Sequence, residues 1–504
     1  MKLLKVYISA FCMCSLSVLL NSCDDFLKEE PLDMKSSDQF WKTKADAESG
    51  VNALYFGGVP YLHNTDVGGG WTPKATMWGG IVSGLYVDKR KDRTFTTASE
   101  GCNFNIESFD DIAMKYWHEF YKGISRANFV IANIPTMTGV LDEATINNYV
   151  AQGKFFRAYG YFWLVKEFGG VPYISEPYTS TEGMYKERLS AEEVYKKIEA
   201  DLLDIVNGDA LPNKTFYENG CYVTRAMAQT LLAQVYLQWA GAPLNGGADY
   251  YGKAAQMALK VINDSPHELI HPNGTTDDLN SAYNVIKTTK ESAEIIYAKE
   301  YNYSDYSVGN SYACRSIGTD AFQWGVFHPG GDVLYNAYLP CDMLLNSYAS
   351  NDIRGHEKQF FFKQYTDADG NTHTLNNAGN WAWFDENALI SGHDGDYNMP
   401  VFRFAEVLLI AAEGLARTNH EDNAVGGAKY YLNQVRKRAG LADETATGND
   451  LIQSILTERL HELPLEFKIW DDIRRTRLYP EASTESGKLN WTALASAQIQ
   501  NKPD

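Results

Sequence analysis

The chain has 504 residues, 44% of them hydrophobic, and a formal net charge of −19. So acidic a balance argues against nucleic acid as a partner, because phosphates demand basic patches, and against adhesion to anionic lipid. Seven cysteines are too few for a disulfide scaffold at this length, and no spacing among them resembles a zinc site.

The N-terminus reads as a targeting segment. Lys2 and Lys5 precede an apolar run from Val6 to Leu20, too short to span a bilayer comfortably. The run ends Leu20-Asn21-Ser22-Cys23, similar to the cleavage box of a bacterial lipoprotein signal. Residues 1–22 are therefore expected to be removed, leaving Cys23 as the acylated first residue; its thiolate is the nucleophile that a lipid donor can alkylate. No later segment reaches the ~18 to 20 apolar residues of a membrane helix, so the lipid is the expected membrane link. Residues 23–37 are charged, without an apolar period, and read as the lipidated end and its tether.

From residue 38 the pattern is mostly α. Phe155, Ala158, Phe162 and Val165 share one helix face, as do Ala226, Thr230, Ala233 and Leu237, and Phe404, Leu408, Ala411 and Leu415. Tyr195–Val206 and Lys253–Ile262 are further amphipathic candidates, the first opened by a Ser190/Glu193 capping box. Pairs of such helices suggest a tetratricopeptide-like helical repeat scaffold, although no strict repeat length emerges. The expected organisation is a single domain over 38–504. Its N-terminal helical part spans 38–299 with a loop at 57–103. A loop-rich insertion with short strands follows at 300–399, and a second helical part at 400–504. The long loops are rich in aromatics, which argues for function rather than disorder.

Several motifs are weighed as decoys. His267-Glu268-Leu269-Ile270-His271 has the zincin spacing, which requires both histidines on one helix face. Pro266 and Pro272 bracket it too closely for a helix. Asp367-Ala368-Asp369-Gly370-Asn371 lacks the calcium-loop spacing and reads as a turn between strands. Gly68-Gly69-Gly70 lacks the lysine of a phosphate loop. Cys102, Cys221, Cys314 and Cys341 read as buried thiols, with a Cys314–Cys341 disulfide left open. No metal, cofactor or catalytic residue is assigned.

Three segments carry a family resemblance: YVAQGKFFRAYGYFWLVKEFGGVP at 149–172, RFAEVLLIAAEGLAR at 403–417 with LNQVRKRAGL at 432–441, and ERLHELPLEFKIWDDIRR at 458–475. Together they resemble the SusD/RagB family of outer-membrane nutrient-binding lipoproteins. Arg403, Glu406, Glu458, Arg459, Glu462, Glu466, Trp470, Asp472 and Arg474 occupy the motif positions. Phe467 stands where the family usually has glycine, and Pro464 interrupts the last segment. Charges on otherwise apolar helices survive burial only when paired, so these motif residues read as structural. Asp24 and Asp25, just after Cys23, resemble the surface-export signal of Bacteroidetes lipoproteins.

The resemblance implies a non-enzymatic protein, lipid-anchored at the cell outer membrane and facing outward. Such a protein captures oligo- or polysaccharide and passes it to a SusC-like TonB-dependent transporter. The chemistry of the loops suits sugars, since aromatic faces provide rigid contact area with a polar handle. With 32 Tyr and 11 Trp, the candidates are Trp71, Trp78, Tyr86, Arg315, Asp320, Trp324, Tyr335, Tyr338 and Trp383. Trp381 and Trp383 are expected to alternate along a strand. The competing readings are the same fold binding peptides, a glycoside hydrolase or zinc-dependent hydrolase, and a purely structural docking platform.

Overall fold

A computed structural model describes residues 40–59, 80, 83–87, 111–178, 183–271, 276–306, 308–310, 312–313, 316–328 and 338–494. Within them the helices are α1 (Lys44–Asn52), α2 (Asp111–Asn133), α3 (Glu143–Phe168), α4 (Ala191–Val206), α5 (Arg225–Ala240), α6 (Gly247–Asp264), α7 (Ala282–Thr288), α8 (Tyr303–Tyr306), α9 (Asp342–Asn346), α10 (Glu386–Ser391), α11 (Phe404–Ala416), α12 (Ala428–Arg438), α13 (Gly448–Glu462) and α14 (Ile469–Thr476). From α2 to α6 each helix packs on the next; α6 then packs on α11, and α11 on α12 and α13. This is the mostly α, tetratricopeptide-like scaffold that the periodicities predict. The three apolar faces read from the sequence lie on α3, α5 and α11, and all twelve of their residues are buried. The capping box also forms: Ser190 Oγ accepts from Glu193 N at 3.3 Å, and the Glu193 carboxylate accepts from Ser190 N at 2.9 Å.

One apolar core runs through these helices from Ala47 to Ile455. It therefore joins the helices before residue 299 to those after 400. The strand pair β2 (Ile295–Lys299) and β6 (Met399–Arg403) makes the same link, with Ile295 opposite Arg403 and Lys299 opposite Met399. Three other antiparallel pairs occur among the described residues: β1 (Tyr86–Val87) with β3 (Leu339–Pro340), β4 (Phe361–Thr366) with β5 (Thr372–Asn380), and β7 (Leu478–Ala482) with β8 (Leu489–Ala493).

The β4–β5 connection is the turn expected at Asp367–Asn371. Asp367 Oδ1 accepts from Asp369 N at 3.0 Å and Asn371 N at 2.8 Å, and Gly370 takes φ +85°. Trp381 and Trp383 depart from the expected strand; they sit in a 3-10 turn, which buries Trp383 and leaves Trp381 half-buried. Pro464 does not kink a helix, because α13 has already ended at Glu462. Phe467, at the position where glycine is usual, has φ +60°. Its ring packs between Tyr338 at 5.6 Å and Trp383 at 5.7 Å, contacts that offset a left-handed backbone.

Helix α11 approaches α6 closely at Gly414. A Cβ there would lie 2.5 Å from the Tyr251 carbonyl oxygen and 2.9 Å from Ala255 Cβ. Gly414→Ala is therefore expected to destabilise the protein by about 1–3 kcal/mol, read as a lower midpoint in chemical denaturation; an unchanged midpoint would contradict this packing.

Candidate functional site

The motif charges at the end of β6 and on α11, α13 and α14 form a buried ion network. Arg403 Nη1 donates to Glu294 Oε1 at 2.7 Å and Glu462 Oε1 at 3.1 Å, while Nη2 lies 2.6 Å from Glu466 Oε1. Arg438 pairs with Glu294 and, at 2.5 Å, with Glu462. Arg354 reaches Asp352 at 2.8 Å, Glu458 at 2.5 Å and Glu462 at 3.2 Å. Burial pushes the Glu462 carboxyl up, but Arg438, Arg403 and Arg354 outweigh it and hold the group below the usual range. Glu406 pairs with Lys468 at 3.1 Å and accepts from Gln234 Nε2 at 3.0 Å. Arg459 and Arg475 share Asp472 at 2.9 and 2.7 Å. Arg474, half-buried, holds Glu167 at 2.9 Å and Asp471 at 2.7 Å, and its guanidinium lies 6.0 Å from the half-buried Trp470 ring. These pairs hold elements together.

A different constellation has the chemistry of a binding face. Trp324 ends a 3-10 turn, Thr319–Trp324. Its ring stacks on His373 of β5 at 4.7 Å and on Tyr365 of β4 at 5.9 Å. Phe384 continues from Tyr365 at 5.8 Å to Trp381 at 5.1 Å. Tyr365 and Phe384 are buried, His373 is half-buried, and Trp324 and Trp381, at the two ends, are likewise only partly buried. Polar bonds fix this ladder. Asp320 Oδ2 accepts from Asn376 N at 2.8 Å, tying the turn to β5. His373 Nε2 and Asp367 Oδ2 are 2.8 Å apart. Trp381 Nε1 donates to Asn284 Oδ1 of α7 at 2.7 Å. Partly exposed indoles on a braced support offer rigid apolar faces without an ordering cost on binding.

Of the residues picked from sequence, Trp324 and Asp320 belong to this ladder. Tyr86, Tyr338 and Trp383 do not, and the structure departs here from their selection as ligand contacts. Tyr86 stacks on Tyr338 at 4.2 Å, Tyr338 lies 5.2 Å from Trp383, and all three are buried in a second core cluster. They fill the space between the β1–β3 pair and the C-terminal helices. Cys23, Trp71, Trp78, Arg315 and Tyr335 lie outside the described residues, as does Cys314. Cys341 is a buried free thiol, and Cys221 is a half-buried one whose pKa burial pushes up to about 12. His373 and Tyr365 were missed; their signal was position, at i and i+8 around an Asp-Gly turn. The zincin spacing has no helix under it. α6 ends at Asp264, residues 266–271 are non-helical, and His267 Nδ1 is taken by the Ala293 carbonyl at 2.8 Å.

In both its parts the chain is similar to the SusD/RagB family. Residues 322–501 match the model described as the SusD family, and residues 81–237 match one described as starch-binding, associating with the outer membrane. SusD-like protein P2 of Formosa agariphila is 27% identical, over 94% of this chain and 91% of its own length. In fold, the chain is similar to a SusD superfamily protein from Parabacteroides distasonis, with a TM-score of 0.76 at 23% identity, covering 90% of this chain and 95% of that one. It is likewise similar to surface glycan-binding protein A from Bacteroides thetaiotaomicron, solved in complex with laminarihexaose, with a TM-score of 0.65 at 22% identity, covering 86% and 90%.

The network makes a pH prediction. Burial would raise Asp471, but Lys166 at 2.6 Å and Arg474 at 2.7 Å hold its pKa down to about 2. A depressed carboxyl stabilises the fold above its unfolded pKa and loses that contribution as pH falls through the folded value. Asp471→Asn is expected to cost about 2 kcal/mol at pH 7. The difference from the parent should shrink between about pH 4 and pH 2, as measured by urea unfolding across that range.

Proposed function

We propose that this protein binds oligo- or polysaccharide at the Trp324–Trp381 aromatic face and delivers it to a SusC-like TonB-dependent transporter. The ladder of stacked rings, ending in two partly exposed indoles, is the observation that carries this reading. Sugar rings present C–H faces that lie flat on indole, and polar groups at the rim bond their hydroxyls. The bound laminarihexaose of the thetaiotaomicron protein and the starch-binding description of the matched family support a glycan ligand. Capture and delivery need no bond cleavage.

The anchoring proposal rests on Cys23. The described residues contain no helix long and apolar enough to cross a membrane. Acyl chains on Cys23, with the 23–37 tether, would hold the protein at the outer face of the outer membrane while leaving it free to move against its transporter. Trp71, Trp78, Arg315 and Tyr335 are proposed as further ligand contacts.

Affinity electrophoresis through a panel of polysaccharide gels tests the binding reading. At least one polymer should retard the parent, and Trp324→Ala should weaken that retardation about tenfold or more, corresponding to roughly 1–3 kcal/mol of lost stacking. Retardation by no polymer would overturn it. Cys23→Ala should release the protein from membranes and reduce uptake of the bound glycan; undiminished uptake by the released form would refute the anchoring role.

A further inference from the structure

Lys287 of α7 differs from two other half-buried lysines. Lys166 and Lys468 are each paired with a carboxylate, at 2.6 and 3.1 Å. Among the described residues, Lys287 has no ion-pair or hydrogen-bond partner. Its Nζ lies instead 4.1 Å from the ring centroid of Trp381, 5.0 Å from Tyr397 and 5.9 Å from Phe384. A second lysine without a carboxylate partner among the described residues, Lys358, places its Nζ 5.4 Å from the same Trp381 ring. Two lysine amines without carboxylate partners thus share one indole, in a chain of net charge −19.

Lys287 also lines a cavity of about 60 Å³ between α7, β6 and the turn that carries Trp383. That volume admits a few waters, and so a group the size of a carboxylate, but not a whole sugar ring. Arg403 and Glu466 line another part of this cavity and pair with each other, which leaves Lys287 as the unbalanced charge. Asp385, the acid whose field reaches Lys287, spends its carboxylate on the backbone amides of Ala388 at 3.2 Å and Asp396 at 3.0 Å. Burial among the rings brings the amine down to about 7. An arriving anion would favour the charged form and be held by a charge-assisted bond.

We propose that Lys287, with Lys358 and the Trp381 indole, forms a subsite for the anionic substituent of a sugar, a carboxylate or a sulfate ester. This rests on the glycan reading above and narrows its ligand to acidic glycans. The sugar ring stays at the aromatic face while its acid group reaches the amine.

The test is affinity electrophoresis of the full chain through polygalacturonate, alginate and dextran sulfate. Methyl-esterified pectin, dextran and laminarin serve as uncharged comparisons. The parent is expected to bind an acidic polymer at least tenfold more tightly than its uncharged counterpart. Lys287→Met should remove that preference and leave affinity for uncharged polymers unchanged. Lys287→Arg should keep it, and matching thermal melts of the three proteins would show that they are folded. Preference for uronate polymers assigns the site to a carboxylate, and preference for dextran sulfate alone to a sulfate ester. Binding of uncharged polymers only, or acidic binding indifferent to Lys287→Met, would overturn the subsite and leave the glycan reading standing. Binding of none would overturn both.

Discussion

Everything in this fold depends on how a set of buried charges is neutralised. Glu462, fully enclosed at the end of α13, is met by Arg354, Arg403 and Arg438. Each comes from a different part of the chain: the turn before β4, the end of β6, and the end of α12. Three guanidiniums could not be buried together without carboxylates between them, and Glu294, Glu458, Glu466 and Asp352 complete the balance. Removing any single partner would leave an uncompensated charge in low dielectric, a cost of about 3–5 kcal/mol. The network is thus a constraint on assembly, since its members are satisfied only when the two helical parts and the region between them are in register.

The same constraint positions the aromatic ladder. Arg354 fixes the chain at the turn Ile353–Gly355, a few residues before β4 begins. Asn284 of α7 then donates to the Lys358 carbonyl at 2.9 Å and accepts from Trp381 Nε1 at 2.7 Å. The β4–β5 hairpin is therefore held at its base and again at its exit, while its rings stack outward to Trp324. Scaffold rigidity reaches the ladder through two defined attachments.

Much of the scaffold was legible in the sequence because helix periodicity is local. The faces around Phe162, Ala233 and Leu408 needed only spacing, and the Ser190 cap needed only four residues. The motif charges were legible as buried and paired, but their partners were not. Glu294 and Arg354 sit on segments with no helical pattern, and their pairing with Arg403 and Glu458 depends on tertiary approach. The aromatic ladder was the least legible part. Trp324 and Trp383 look alike in sequence, each a tryptophan in an irregular aromatic stretch. One packs on a hairpin at the surface and the other is enclosed beside Phe467. Only the three-dimensional path of the chain separates them, just as it alone brings Lys287 over Trp381.

Hydrogen–deuterium exchange with and without a retained oligosaccharide tests whether glycan binds along the ladder from Trp324 to Trp381. Binding there is expected to slow exchange in 319–328 and 361–384 and to leave the α3–α4 helices unchanged. Protection confined to those helices, with the hairpin and its flanking turns exchanging as in the free protein, would contradict it.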